Sequence, residues 1–150
     1  FIRPSEQRNM KINWINFEFG YIEVPGEWSK NKKTERVLIP ASFLERIQYL
    51  KLFPPNSYIL SRDGAPGYRQ IAANYLNNEH SKILKSIGIV GRYAFYSWKH
   101  TGAVKAVKAG INIKDLQLQL RHHSLDMVNE YLKNLGVMDS EYLKNRFPVL

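Results

Sequence analysis

The sequence predicts a mainly α-helical fold with one small antiparallel β-sheet near the N-terminus, which places it in the α+β class. Two short segments rich in β-forming residues, 21–25 and 35–40, are joined by a polar connection typical of a hairpin. Beyond residue 40, apolar residues recur at helical spacing, and Gly and Pro separate the helical stretches. A chain of 150 residues is long enough for one domain with its own core, so a single domain over residues 1–150 is expected.

The first element is a short helix expected over residues 4–12. Pro4 suits its first turn, because the N–H group that proline lacks would have no partner there. Glu6 lies in the same turn, where the helix dipole favours an acidic side chain. The hairpin follows, and its loop carries three lysines, Lys30, Lys32 and Lys33.

Apolar spacing predicts five further helices. They cover residues 41–53, 69–87, 97–109, 112–120 and 124–135. In four of them the apolar residues are expected to face inward. They are Phe43, Ile47 and Leu50 in the helix 41–53, and Ile71, Tyr75, Ile83, Leu84 and Ile87 in the helix 69–87. In the helix 112–120 they are Ile113, Leu116 and Leu120, and in the helix 124–135 they are Met127, Val128, Tyr131, Leu132 and Leu135.

Turn residues mark the ends of these elements. The loop between the first two of the five helices is rich in Pro and Gly and surrounds a short strand, 58–60. Gly110 is expected to end one helix in the left-handed conformation, and Gly136 is expected to end another helix. A last, detached helix is expected over residues 139–147.

The chain is basic, with 22 Lys and Arg against 13 Asp and Glu and a net charge of +9. Such a charge favours a polyanionic partner such as nucleic acid, although solubility alone would also account for it. Cysteine is absent, which excludes disulfides and thiolate metal sites and suits a cytoplasmic protein. No apolar run is long enough for a membrane span, and the N-terminus has neither a signal-peptide pattern nor an initiator Met, so a fragment of a longer chain is expected.

The segment 120–136, "LRHHSLDMVNEYLKNLG", carries the pattern most relevant to function, because Tyr131 follows His122 by nine residues. Taken alone, Tyr131 fits the apolar stripe of a helix and would be a core residue. His122 alone would be a capping or surface histidine. The two helices around it also look like a helix-turn-helix, which by itself is a weak signal.

The longer stretch from Tyr96 to Tyr131 resembles the C-terminal signature of the tyrosine recombinase (phage integrase) family. In that family a segment H-x-x-R-H-T precedes a helix, a Gly turn and a second helix. The motif L-G-H-x-S follows, and the nucleophilic tyrosine comes nine residues after its histidine. The residues of this chain that match are His100, Thr101, Gly110, His122 and Tyr131.

The N-terminal half is similar to the same family. "FIRPSE" resembles its G-L-R-x-S-E motif, which makes Arg3 the counterpart of the first catalytic arginine. "SKNKKTERVLIP" resembles the hairpin that carries the catalytic lysine. Lys30 opens the lysine run and is the first candidate for that role, and Lys32 is the second.

The resemblance implies a tyrosine recombinase catalytic-domain-like fold and a site-specific recombinase or integrase that cleaves and rejoins duplex DNA through a 3′-phosphotyrosine. Tyrosine suits this role because its phenolate can attack phosphorus and store the bond energy covalently. Cations such as Arg3 and Lys99 would stabilise the charge of the transition state, and a hairpin lysine would protonate the leaving oxygen. No metal or cofactor is implied. Residues expected to contact DNA are Lys32, Lys33, Arg36, Arg121 and His123.

Three positions depart from the family pattern. Tyr96 stands where the family has histidine, Lys99 where it has its second arginine, and Arg121 where it has glycine. Lysine keeps the charge of arginine but not its two-pronged contact with a phosphate, and tyrosine is uncharged at neutral pH. His100 becomes a candidate substitute base. A catalytically weakened or inactive recombinase-like DNA-binding protein is therefore the alternative.

Two further classes stay open: a helix-turn-helix regulator, and a basic helical domain with a protein partner. The resemblance itself implies double-stranded DNA as the partner and an N-terminal core-binding domain outside this sequence. It also implies a tetramer on paired sites, for which the apolar tail in residues 139–150 is suited. The expected setting is the cytoplasm of a bacterium, on DNA, with the gene carried by the host, a phage or another mobile element.

Overall fold

The computed structural model describes residues 1–91 and 93–136. The chain divides into two compact units, Phe1–Lys99 and the part from His100 onward. The helices are α1 (Pro4–Asn9), α2 (Ala41–Arg46), α3 (Tyr75–Ser86), α4 (Ser97–Lys108), α5 (Ile113–Leu120) and α6 (Leu125–Asn134). Short 3₁₀ helices cover Ile12–Trp14 and Gln48–Leu52, and the strands are β1 (Ile15–Asn16), β2 (Tyr21–Val24) and β3 (Glu35–Leu38).

The predicted hairpin is confirmed, and it belongs to a three-stranded antiparallel sheet in the order β1-β2-β3. Ile22 pairs with Ile15 on one side and with Val37 on the other. These residues are buried, so one face of the sheet covers the core of the first unit. The sequence did not reveal β1, because a strand of two residues is too short to show alternation.

The amphipathic helix predicted over residues 41–53 is wrong as a single element. The α-helix ends at Arg46, and a 3₁₀ turn carries the chain through Gln48–Leu52. Leu50 is buried against the sheet as expected, but Phe43 is 51% exposed. The tighter turn changes the angular spacing of the side chains, so Phe43 and Leu50 no longer share a face.

The helix predicted over residues 69–87 begins only at Tyr75. The chain before it is extended, since Ser61 and Gln70 form an isolated β-bridge. The Arg8 guanidinium donates a 2.8 Å hydrogen bond to the carbonyl of Ile71, which is buried there. The strand expected at 58–60 is likewise reduced to isolated bridges, which Tyr58 forms with Lys11 and with Gly67.

Several residues predicted to face inward point to solvent instead. In α3 and at its end, Ile83 and Ile87 are exposed, and Met127 of α6 is exposed as well. Apolar spacing identifies a helix more reliably than it identifies which apolar residues the helix buries. The expected helix at 139–147 lies outside the described residues.

The second unit contains the pair α5 and α6, which pack against each other through four buried aliphatic residues, Leu116, Leu120, Val128 and Leu132. Asn112 caps α5 by accepting a 2.7 Å hydrogen bond from the N–H of Lys114. Ser124 caps α6 by accepting from the N–H of Met127 at 3.3 Å. Gly110 has a positive φ angle, as predicted, and so does Gly136.

The end of α5 has an unusual residue for its conformation. Arg121 is the C-cap, with φ 57° and ψ 48°, and only 6% of it is exposed. This left-handed conformation costs a residue with a Cβ atom roughly 1 kcal/mol, whereas glycine adopts it freely. Glycine suits this position of the family motif because it adopts a positive φ freely. Arg121 adopts the same conformation at an energetic cost.

Among residues 1–91 and 93–136, no helix is both long enough and apolar enough to cross a membrane.

We expect Arg121→Gly to be more stable than Arg121→Ala by about 1 kcal/mol. Both changes remove the guanidinium, so their difference reports the left-handed backbone alone. The measurement is the free energy of unfolding from urea titration of the two variants. Equal stability would show that the turn does not impose positive φ in solution.

Candidate active site

Tyr131 lies on α6 beside Val128 and Leu132, whose side chains pack into the core. Val128 and Leu132 are fully buried, whereas Tyr131 is half-buried at the edge of their stripe. Its hydroxyl lies 2.8 Å from Nδ1 of His100. The hydroxyl of a core tyrosine would also have a hydrogen-bond partner. This contact therefore fits a core residue as well as a nucleophile.

The phenol ring of Tyr131 packs against two imidazoles. The ring of His100 lies 5.4 Å away between centroids with an interplanar angle of 33°. The ring of His122 lies at the same 5.4 Å but nearly perpendicular, at 84°. The structure thus brings three of the sequence-predicted site residues together within the second unit.

Gln117 holds the main chain of His122 through two hydrogen bonds, one to its backbone carbonyl and one from its side chain. The N–H of His122 donates to the carbonyl of Gln117 at 3.1 Å, and the carbonyl of His122 accepts from the Gln117 side-chain amide at 3.0 Å. Gln117 is itself buried in α5. The sequence analysis missed this residue, because a glutamine in a helix of alternating Leu and Gln gives no signal of its role.

Tyr96 and Lys99, two of the three departures from the family pattern, are in contact with each other. Lys99 is 7% exposed, and its Nζ lies 5.9 Å from the centre of the Tyr96 ring. The ring offers a cation–π contact to the ammonium group. The two substitutions therefore form a pair, in which the tyrosine helps to hold a buried lysine.

The start of α4, which contains Lys99 and directly follows Tyr96, packs against α3. His80 is buried and meets the ring of Phe95 at 5.8 Å and the ring of Trp98 at 6.1 Å, both edge-on. This aromatic contact was not predicted, because the partners are separated by 15 residues or more and none belongs to a motif. It fixes the segment that leads into Lys99.

Arg3 stands at the N-cap of α1 and is paired with a buried carboxylate. Glu6 is fully buried and accepts two hydrogen bonds from Arg3, one from its N–H at 2.8 Å and one from Nη1 at 2.9 Å. The sequence placed Glu6 at the helix dipole but did not identify it as the partner that orients Arg3. A charge-assisted contact of this kind restricts the guanidinium to one direction.

The loop between β2 and β3 is braced around Lys30. The hydroxyl of Ser29 donates to Glu35 at 2.8 Å, and the amide of Asn31 donates to the other oxygen of Glu35 at 3.0 Å. Lys30 lies between these two anchors and is exposed. Lys32 and Lys33 are exposed as well, and Lys32 adopts a positive φ of 54°.

The remaining residues expected to contact DNA differ in exposure. Arg36 is exposed, donates to Glu23 at 2.8 Å and lies over the Tyr21 ring at 4.5 Å. The hydrogen bond to Glu23 raises the pKa of Arg36 above its usual value. His123 is exposed, whereas Arg121 is buried.

The sequence-predicted site residues fall into two groups. His100, His122 and Tyr131 meet in the second unit, while Arg3, Lys30, Tyr96 and Lys99 belong to the first. That both groups act on one phosphate stays a prediction. Within residues 1–91 and 93–136, no three His, Asp or Glu side chains come together in a way that could hold a metal ion.

Comparison with known proteins identifies relatives of the chain. The tyrosine recombinase XerA of Pyrococcus furiosus is 28% identical over 140 residues, which cover 88% of this chain and 46% of that protein. The chain thus spans about half the length of this relative.

Solved structures give the same fold. A crystal structure of XerA recombinase matches with a TM-score of 0.73 at 20% identity, over 98% of this chain and 54% of the other. The Tn1549 transposon integrase, in complex with circular intermediate DNA, matches with a TM-score of 0.64 at 15% identity, over 87% of this chain and 50% of the other. These matches confirm the predicted fold class.

The family model described as "Phage integrase family" matches residues 1–136, which is most of the chain. This match runs from the helix that bears Arg3 to the end of the helix that bears Tyr131. The chain therefore belongs to the phage integrase family.

Proposed function

We propose that the chain is the DNA-cleaving domain of a tyrosine-type site-specific recombinase. One observation supports this most directly: the ring of half-buried Tyr131 packs against the imidazoles of His100 and His122, its hydroxyl lies 2.8 Å from Nδ1 of His100, and it has the family spacing from His122. The proposed substrate is double-stranded DNA. The Tn1549 integrase, whose fold is similar, was solved in complex with DNA.

The proposed reaction exchanges one phosphoester for another. The oxygen of Tyr131 attacks the phosphorus and forms a 3′-phosphotyrosine bond, while the bond from phosphorus to the 5′-oxygen breaks. The phenol loses one proton and the leaving oxygen gains one, so no water is consumed. The covalent intermediate retains the bond energy, and a 5′-hydroxyl can reverse the reaction with the same or another strand.

Cations are proposed to stabilise the pentacoordinate transition state, in which charge gathers on the non-bridging oxygens. Arg3, held by Glu6, and Lys99, supported by Tyr96, would act on these oxygens together with His122. The Arg3 fork can donate two hydrogen bonds to a phosphate, whereas Lys99 supplies a point charge. We propose that the Tyr96–Lys99 pair replaces the histidine and arginine of the family pattern.

Lys30 is the proposed general acid for the 5′-oxygen. Its neighbours Ser29 and Asn31 are tied to Glu35, so the lysine projects from a braced position in an otherwise polar loop. Lys32 is the second candidate for the general acid. The exposed residues proposed to contact DNA are Lys32, Lys33, Arg36 and His123. Arg121 also stays a proposed DNA contact, although its burial requires the surface near it to open.

The whole recombinase is proposed to assemble as a tetramer on paired sites through residues 139–150, together with an N-terminal core-binding domain, and to act on DNA in the cytoplasm. The alternative is a relative that binds DNA without cutting it. The Tyr96 and Lys99 departures favour that alternative, because a lysine cannot donate two parallel hydrogen bonds to one phosphate.

We expect the affinity for duplex DNA to fall steeply with salt. Contacts to six or more phosphates would lower it by about 10³-fold between roughly 50 and 200 mM salt. A gel-shift or anisotropy titration at several salt concentrations measures the slope. Replacing Lys32 and Lys33 with Gln should reduce the slope by about 0.9 for each lost phosphate contact. A flat response would argue against DNA as the partner.

We expect Tyr131→Phe to abolish the covalent adduct and to leave folding and DNA affinity unchanged. The variant loses only the hydroxyl, so the ring still fills its place. The measurement uses a pool of nicked duplexes with randomised centres, from which the short strand between the cleaved bond and the nick, which carries the new 5′-hydroxyl, diffuses away. Adducts that survive denaturant are isolated, and the modified peptide is identified by mass spectrometry.

The matched controls for this test are Tyr75→Phe and Tyr49→Phe, at two exposed tyrosines of the first unit. Both should form adduct as the unchanged protein does. An adduct formed by Tyr131→Phe would show that another residue attacks. Absence of adduct from the unchanged protein, with salt-dependent DNA binding intact, would support the non-cleaving alternative.

We expect Lys99→Gln to reduce adduct formation by about 10²-fold or more, because a preorganised charge on the developing oxyanion is lost. Lys99→Arg keeps the charge and should retain adduct formation within about tenfold. Single-turnover rates on a trapped sequence measure both. Equal rates for the Gln variant and the unchanged protein would remove Lys99 from the proposed site.

A further inference from the structure

We infer that His100 is the base that takes the proton from Tyr131 during attack. The inference rests on the proposed function and adds a step to it, since the signature residues of the family do not assign a proton acceptor at this position. His100 is the residue directly after Lys99 on α4, and Tyr131 lies on α6. The observation that carries the inference is the 2.8 Å separation between Nδ1 of His100 and the hydroxyl oxygen of Tyr131.

This separation is within the range needed for direct proton transfer between a phenol and an imidazole. The two residues are 31 positions apart in sequence, so the contact is produced by the packing of the unit and not by local helix spacing. The hydroxyl donates to Nδ1 when the imidazole carries its proton on Nε2. In that tautomer, Nδ1 carries the lone pair that would accept the proton of the phenol.

His122 and His100 meet Tyr131 in different ways. The His122 ring stands nearly perpendicular to the phenol ring, and its main chain is fixed by Gln117. This places His122 against the ring of Tyr131, whereas His100 meets the reacting oxygen. The two histidines therefore have different proposed roles: His100 accepts the proton from the nucleophile, and His122 contacts the phosphate.

Tyr96 occupies the position where the family has a histidine, and a neutral phenol is a poor base near neutral pH. It contacts the ammonium group of Lys99 through its ring. A chain with tyrosine at this position needs its proton acceptor elsewhere. Among the described residues, the imidazole of His100 has the position that this role requires.

The proton balance of the step is complete. The O–H bond of Tyr131 breaks, its proton passes to Nδ1 of His100, and the electron pair stays on the phenolic oxygen. That oxygen forms the bond to phosphorus while the bond to the 5′-oxygen breaks, and the proposed general acid Lys30 protonates the departing oxygen. His100 ends the step as an imidazolium, which returns its proton to the tyrosine when the 5′-hydroxyl of a strand reverses the reaction.

The first test compares His100→Asn with the unchanged protein on two substrates. Asparagine places an amide close to where Nδ1 lies, so it can accept the hydrogen bond of Tyr131 but cannot take up its proton. One substrate is an ordinary trapped duplex. The other carries sulfur in place of the bridging 5′-oxygen, and this leaving group needs no proton.

We expect His100→Asn to slow adduct formation by about 10²-fold or more on both substrates, the usual contribution of a positioned base. Lys30→Gln should be slow on the oxygen substrate and recover on the sulfur substrate. If sulfur restores His100→Asn, the histidine serves the leaving group, and the inference is wrong. If His100→Asn matches the unchanged protein on both substrates, His100 only packs against Tyr131.

The second test separates a base from a residue that only positions the ring. His100→Ala leaves space for a small heterocycle, and imidazole and pyrazole have the same shape but very different basicity. Rescue of adduct formation by imidazole and not by pyrazole supports proton transfer. Equal rescue by both, or rescue by neither, contradicts it.

Two readouts keep these outcomes distinct from failure of the proposed function. Gel-shift affinity and the far-ultraviolet circular dichroism of both variants should equal those of the unchanged protein, which shows that fold and DNA binding persist. If the unchanged protein forms no adduct on any duplex, the proposed cleavage itself fails. If it forms adduct and the His100 variants do so at the same rate, only the role of His100 is lost.

Discussion

The packing of α5 against α6 is the constraint on which the second unit depends. Leu116 and Leu120 on one helix and Val128 and Leu132 on the other are almost fully buried, so neither helix can rotate without exposing them. This fixes the turn between the helices, where His122 lies, and the face of α6 that presents Tyr131. Since each buried leucine or valine contributes roughly 1.5–3 kcal/mol, the geometry of the two polar residues is set by apolar packing.

The same constraint explains why part of the structure could be predicted from the sequence. The spacing of nine residues between His122 and Tyr131 corresponds to a capped turn followed by two helical turns, and Ser124 provides the cap. The hairpin and the glycine-ended helices follow from similarly local rules. The predicted helices at 41–53 and 69–87 are present, but their bounds were wrong. Leu50, in the 3₁₀ turn after Ile47, packs against the sheet, and Ile71, in the segment before Tyr75, accepts a hydrogen bond from Arg8. Both contacts join parts of the chain that are distant in sequence.

The contacts within the candidate site were less predictable than its residues. The family pattern indicated Arg3, Lys30, His122 and Tyr131, and its first motif also contains Glu6, but it did not indicate which groups hold the site residues. Glu6, Glu35 and Gln117 reach their partners over three to six positions, through side-chain hydrogen bonds that depend on the local fold. His80 and His100 contact residues 15 to 31 positions away, and such contacts depend on how the helices pack.

The departures at 96 and 99 have a common physical consequence. A buried lysine loses hydration and needs a compensating contact, and the face of the Tyr96 ring lies 5.9 Å from its ammonium group. A histidine at position 96 that became protonated would instead repel Lys99 at this distance. Tyrosine keeps the position aromatic and uncharged, so a cation at 99 can be maintained. For the proposed reaction, a neutral phenol at position 96 is a poor proton acceptor, and the imidazole of His100, one residue beyond Lys99, lies 2.8 Å from the hydroxyl of Tyr131.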